Sequence, residues 1–123
     1  MTDALQPMIA VIDRDRLTAY GLALLLRDWG YDSVVGQSAR EIFGRTEARG
    51  LRIAGIVADD RTEDGSSGAD EAAALAALAA RPIPTVVLGA AADAIPPGAT
   101  SIPKPIEPFR LRDVLRTMIT IAP

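Results

Sequence analysis

The chain has no cysteine and no histidine, and only one of its 13 basic residues is a lysine. Without cysteine there are no thiol nucleophiles or disulfides, and without histidine no imidazole base; together the two absences remove the usual zinc sites. Long apolar runs are also missing, since none approaches the ~20 residues needed to cross a bilayer. Nor is there a basic stripe. The net charge is −3 and the arginines are dispersed, which argues against nucleic acid as a direct partner. Residues 1–6 lack the basic-then-apolar pattern of a signal peptide. The expectation is a soluble, cytoplasmic protein with no membrane segment. Any phosphoryl or metal chemistry would have to run on carboxylates, one lysine, hydroxyls and backbone groups.

At 123 residues the chain fits one domain spanning 1–123, and a chain of that size buries about two-thirds of its unfolded surface. Apolar residues make up 49% and charged residues 24%, as in ordinary globular proteins. The single lysine, Lys104, stands between Pro103 and Pro105. An ammonium is a compact point charge on a flexible stem, whereas a guanidinium is a wide planar fork. A compact cation suits single phosphoryl oxygens in a cramped site. Asp13 and Asp15 follow the first apolar run, and Asp59 and Asp60 follow the third.

Short apolar runs alternate with helical patterns. Met8–Ile12 has the length of a strand buried on both faces. Over Leu17–Trp29, Leu22, Leu25, Leu26 and Trp29 recur at helical spacing, and Gly30 stops the helix. Tyr31–Val35 reads as a second strand. Ser38 caps a helix to about Ala48, with Glu41 in capping-box position and Gly50 closing it. Leu51–Ala58 is a third strand, followed by a polar glycine-rich loop and an alanine-rich helix to about Ala80. Ile83–Leu88 and a weak run at Ala99–Ile102 give strands four and five, and a last helix covers about Pro108–Ile121. This alternation predicts an α/β fold with a parallel five-stranded sheet and helices on both faces. Ligands in such folds gather beyond the C-terminal strand ends, where the strand order reverses. Asp13, Asp59, Gly89 and Lys104 all follow strand ends of that kind. Asp60, adjacent to Asp59, is expected to point away, because neighbouring side chains on a strand alternate.

With those residues in place, the chain resembles a receiver domain of two-component signalling from Ile9 to about Met118. The segments IVADDR and PKPIEPFRLRDVL are similar to the receivers appended to hybrid histidine kinases. The resemblance implies a flavodoxin-like doubly wound sheet of order 2-1-3-4-5. It implies that Asp59 is the phosphate-accepting aspartate and that Lys104 contacts the phosphoryl group, with Pro105 often joined through a cis bond. Asp13, Asp59 and the backbone carbonyl of Arg61 would hold Mg2+. The implied partner is a histidine kinase or phosphotransfer protein. Phosphoryl transfer rests on charge neutralisation and alignment, which this residue set can supply.

The chain departs from that pattern at three positions. Arg14 stands where a second acidic residue is customary, which should weaken Mg2+ binding if it points inward; Asp15 is a partial substitute. Gly89 replaces the hydroxyl residue after strand four, and Ser101 replaces the aromatic three residues before the lysine. The fourth of the family's helices should be shortened or missing, because Pro96, Pro97 and Gly98 crowd the stretch before Ser101. That argues against the usual dimer and against the regulatory half of a transcription factor. Three functions follow from these features. The first is a phosphoacceptor in a phosphorelay, which is not an enzyme. The second is a pseudo-receiver that binds proteins without being phosphorylated. The third is a phosphatase of the haloacid-dehalogenase type, suggested only by Asp13-Arg14-Asp15 and Asp59-Asp60, with Lys104 on the wrong side of the acidic pair.

Overall fold

The computed structural model describes residues 6–61, 67–79, 81–89 and 99–119. Its first strand, β1 (Met8–Ile12), leads into α1 (Arg16–Asp28), β2 (Asp32–Gly36) and α2 (Ala39–Arg49). Then follow β3 (Gly55–Asp59), α3 (Gly68–Leu78), β4 (Thr85–Leu88), β5 (Thr100–Ile102) and α4 (Pro108–Met118). All strand pairs are parallel and the sheet order is β2-β1-β3-β4-β5. The segment expected to hold a shortened helix, 90–98, lies outside the described residues.

Strand parity sorts the core into two layers. Ile9 and Val11 of β1 pack with Val57, Val86 and Ile102 under Ala19, Leu22 and Leu26 of α1 and Leu111 and Leu115 of α4. The intervening Ala10 and Ile12 face the opposite side, with Ile56 and Ala58, under Ala39 and Ile42 of α2 and Ala72 and Leu75 of α3. Because both faces are covered, the strands read as continuous apolar runs rather than alternating ones.

The helices begin where their caps allow. Ser38 accepts the Glu41 N–H at 3.1 Å, as the capping pattern predicts, while the Glu41 carboxylate reaches back to the N–H of Gln37 at 2.9 Å, outside the usual box. Gly50 ends α2 at φ +66°, and the Leu51 N–H folds back to the Thr46 carbonyl at 2.9 Å. That closing turn is why β3 starts at Gly55 and not at Leu51, as its apolar run suggests. Residues 51–54 are the exit from a helix, although Ala54 already donates to the Met8 carbonyl at 2.7 Å. No helix among the described residues is long and apolar enough to cross a membrane.

Leu26 is fully buried at the centre of the α1 layer. Leu26→Ala should lower stability by about 3 kcal/mol. Urea unfolding followed by the fluorescence of Trp29, which packs against the same layer, measures it.

Candidate functional site

The register of the central strands assembles the acidic centre. Ile12 is paired with Ala58, so the next residue on each strand, Asp13 and Asp59, emerges at the same level. Both continue the parity of Val11 and Val57, which places them on the face covered by α1 and α4. The strand order reverses between β1 and β3, so these carboxylates stand at the switch point where doubly wound sheets bind ligands. A cleft of about 510 Å³ opens there. Asp13, Arg14, Asp15, Thr18, Asp59 and Lys104 form its polar rim, and Leu22, Leu25, Leu88, Pro105 and Ile106 contribute an apolar wall.

Asp13 is buried, and its Oδ1 accepts the N–H of Asp15 at 2.8 Å. Burial pushes its carboxyl above the ordinary aspartate range, and the charges of Asp59 and Asp15 push the same way. The Asp15 N–H and the Lys104 ammonium oppose this only in part. Asp15 serves α1 instead of the acidic centre. Its Oδ2 accepts the Thr18 hydroxyl at 2.8 Å and its Oδ1 the Leu17 N–H at 3.0 Å, bonds that hold its carboxyl below the usual range. Both oxygens are engaged in capping, which makes Asp15 less free to serve as the partial substitute expected of it. Arg14 is exposed at the rim and forms no ion pair with a described residue, while its carbonyl accepts from Gln37 Nε2 at 3.0 Å.

Lys104 reaches the centre from beyond β5. Its Nζ lies 2.5 Å from Asp59 Oδ1 and 3.1 Å from Asp60 Oδ1. The Lys104–Pro105 bond is cis. Burial alone would lower the ammonium's pKa, but hydrogen bonds and charge from the two carboxylates outweigh it and raise the value. Burial likewise pushes Asp60 up, yet its bond to Lys104 and the lysine charge hold its carboxyl below the usual range. Asp60 thus joins the site through Lys104, while of the adjacent pair only Asp59 lines the cleft, as the alternation of side chains predicts. Strand β3 ends at Asp59, and the chain bends at Asp60.

Two glycines, whose part here composition alone did not reveal, make this geometry possible. Gly89 adopts φ +91°, a conformation side chains rarely tolerate, and a Cβ there would stand 3.1 Å from the Lys104 stem and 3.2 Å from Asp60 Cγ. The position lacks a hydroxyl, and the lysine and Asp60 fill its surroundings. At Gly68 a Cβ would lie 1.5 Å from the Asp59 carbonyl oxygen, so only glycine lets α3 start against the end of β3. Arg61 donates its N–H to Asp59 Oδ2 at 3.3 Å and bridges to Ser67. Ser101 lies within β5, level with Val87, and does not line the cleft. Among the described residues, no cluster of three or more acidic side chains is arranged to hold a metal. The hard oxygen donors on offer are Asp13 and Asp59.

The raised carboxyl of Asp13 carries a stability consequence. A folded-state pKa above the unfolded one means that ionisation costs the folded state free energy at neutral pH. Asp13→Asn, whose amide oxygen can still accept from Asp15, should stabilise the fold at pH 7. The gain should shrink as pH falls through the folded-state pKa of Asp13, a trend that urea titrations at pH 7 and pH 4 resolve.

No family model matches the chain, and no curated protein matches it in sequence. Solved structures do match. A sensor protein from Polaromonas sp. JS666 is 23% identical with a TM-score of 0.71, over 92% of this chain and 95% of that one. A response regulator receiver domain protein from Clostridium thermocellum is 19% identical with a TM-score of 0.75, over 92% and 94%. A CheY-like receiver domain protein from Methanospirillum hungatei JF-1 is 20% identical with a TM-score of 0.74, over 93% and 94%. In sheet order, in the placement of its helices and across nearly its whole length, the chain has the fold of response regulator receiver domains.

Proposed function

We propose that the chain is a receiver module that accepts a phosphoryl group on Asp59 from the phosphohistidine of a histidine kinase or phosphotransfer protein. The observation that carries this reading is the 2.5 Å contact between the Lys104 ammonium and Asp59 at the switch point of the sheet. In the transfer, an Asp59 carboxylate oxygen bonds to phosphorus while the bond from phosphorus to the imidazole nitrogen breaks. Lys104 lies where its protons can meet the phosphoryl oxygens, and the apolar wall of Leu22, Leu88 and Ile106 limits water on one side.

Asp13, Asp59 and the carbonyl of Arg61 fit Mg2+ as a minimal set, since that ion commonly takes one or two carboxylates and completes its shell with water and phosphate. Burial, and after it repulsion from Asp59 and Asp15, raises Asp13, and a bound dication would offset both. When bound, the ion would neutralise charge on the transferring phosphoryl oxygens. Arg14, exposed at the rim, would lower affinity for it through like charge. The phosphatase reading loses support, because Asp15, which it needs for acid–base work, is engaged in capping α1.

A second reading is favoured by specific observations. Gly89 supplies no hydroxyl for a phosphoryl oxygen, and Arg14 supplies no third carboxylate for a metal. A pseudo-receiver that only binds other proteins would carry such a site.

Incubation with a small phosphodonor and Mg2+ should add one phosphoryl group, seen by mass spectrometry and absent in Asp59→Asn. No mass gain in the wild type would favour the pseudo-receiver. Arg14→Asp should tighten Mg2+ binding by on the order of tenfold, since it turns a repulsive charge into a ligand. Calorimetric titration checks this, and equal affinities would remove Arg14 from the site.

A further inference from the structure

We infer that Asp60 is a positioning residue of this site, holding the Lys104 ammonium and competing for it with an anion formed on Asp59. The inference rests on the phosphoacceptor reading and adds a restraint to it. Lys104 has three ammonium protons, and two carboxylates already engage it, Asp59 at 2.5 Å and Asp60 at 3.1 Å. Gly89 lies against both partners of the second contact. A Cβ there would crowd the lysine stem and Asp60 Cγ together, and each would have to give by a few tenths of an ångström.

The backbone of Asp60 is also fixed. Its carbonyl accepts the Gly68 N–H at 3.1 Å, and Gly68 is lodged against the Asp59 carbonyl. The Asp60 side chain therefore starts from a pinned Cα and needs only its own dihedrals to reach the ammonium. None of this follows from Asp60 preceding a loop, since a solvated turn aspartate would have no fixed partner 44 residues away.

Placing a phosphoryl group on Asp59 adds anionic oxygens and charge on that side of an ammonium that Asp60 already shares. Lys104 must then share its protons or leave Asp60, and a released Asp60 carboxylate repels the new group. Asp60 thereby weakens the hold of the site on a phosphoryl group. Because Lys104 and Asp60 are both partly exposed, the effect should be about fivefold, the scale of a solvated ion pair.

Lys104 is the only lysine, so protein labelled with 15N-lysine carries one labelled ammonium. In Mg2+-free buffer, Asp60→Asn and Asp60→Ala should both shift that resonance and speed its proton exchange with water by about fivefold. Asp28→Asn, at the far end of α1, should leave it unchanged. With Mg2+ and beryllofluoride as the phosphoryl mimic, both Asp60 variants should half-saturate at about one-fifth of the wild-type concentration. An ammonium signal unmoved in both variants overturns the inference. So does a released ammonium with wild-type beryllofluoride affinity, and in that case the phosphoacceptor reading survives. If beryllofluoride binds none of the forms, the phosphoacceptor reading itself falls and takes the competition with it.

Discussion

The pairing of β1 with β3 forces two carboxylates to the same buried level, and every other feature of the site answers to that constraint. Asp13 and Asp59 leave the sheet side by side on one face, at a depth where water screens them poorly. Lys104, arriving from beyond β5, is the cation that offsets them, and Asp60 joins from the other side of the same ammonium. Two carboxylates, Asp59 and Asp60, thus meet one lysine, with Asp13 beside them at the same level as Asp59, while Asp15 at the rim caps α1. A centre with excess negative charge attracts cations and, through its one ammonium, can still meet an anion.

Much of the architecture was legible in the sequence because both of its signals are strong. Met8–Ile12 and Ile83–Leu88 are short, largely apolar runs bounded by proline, aspartate or glycine, and the α1 stripe repeats at helical spacing. Convergence of Asp13, Asp59 and Lys104 followed from their places after strand ends. What failed was local. Leu51–Ala54 looks like strand because it is apolar, yet the left-handed turn at Gly50 assigns it to a helix exit. Asp60 stays out of the cleft lining, as alternation predicts, but its contact with Lys104 was not foreseen, because it depends on the bend after β3. The conformation of Gly89 and the closeness of Gly68 to Asp59 are properties of backbone paths, and composition carries no record of them.

The departures from the family pattern form a connected set. A hydroxyl side chain at position 89 would compete for the space in which Asp60 meets Lys104, so the glycine and the added carboxylate belong together. Arg14 lies at the rim and leaves the carboxylates to Lys104, while its backbone carbonyl is tied to Gln37. The site is consequently simpler in hydroxyls and richer in charge than the pattern it resembles.

The start of α3 has no clearance from the end of β3, because Gly68 abuts the very carbonyl that precedes Asp60. A joint without slack transmits displacement instead of absorbing it. A shift of the main chain at position 59 would therefore press directly on the first turn of that alanine-rich cylinder, whose leading N–H is also bonded to the next carbonyl along.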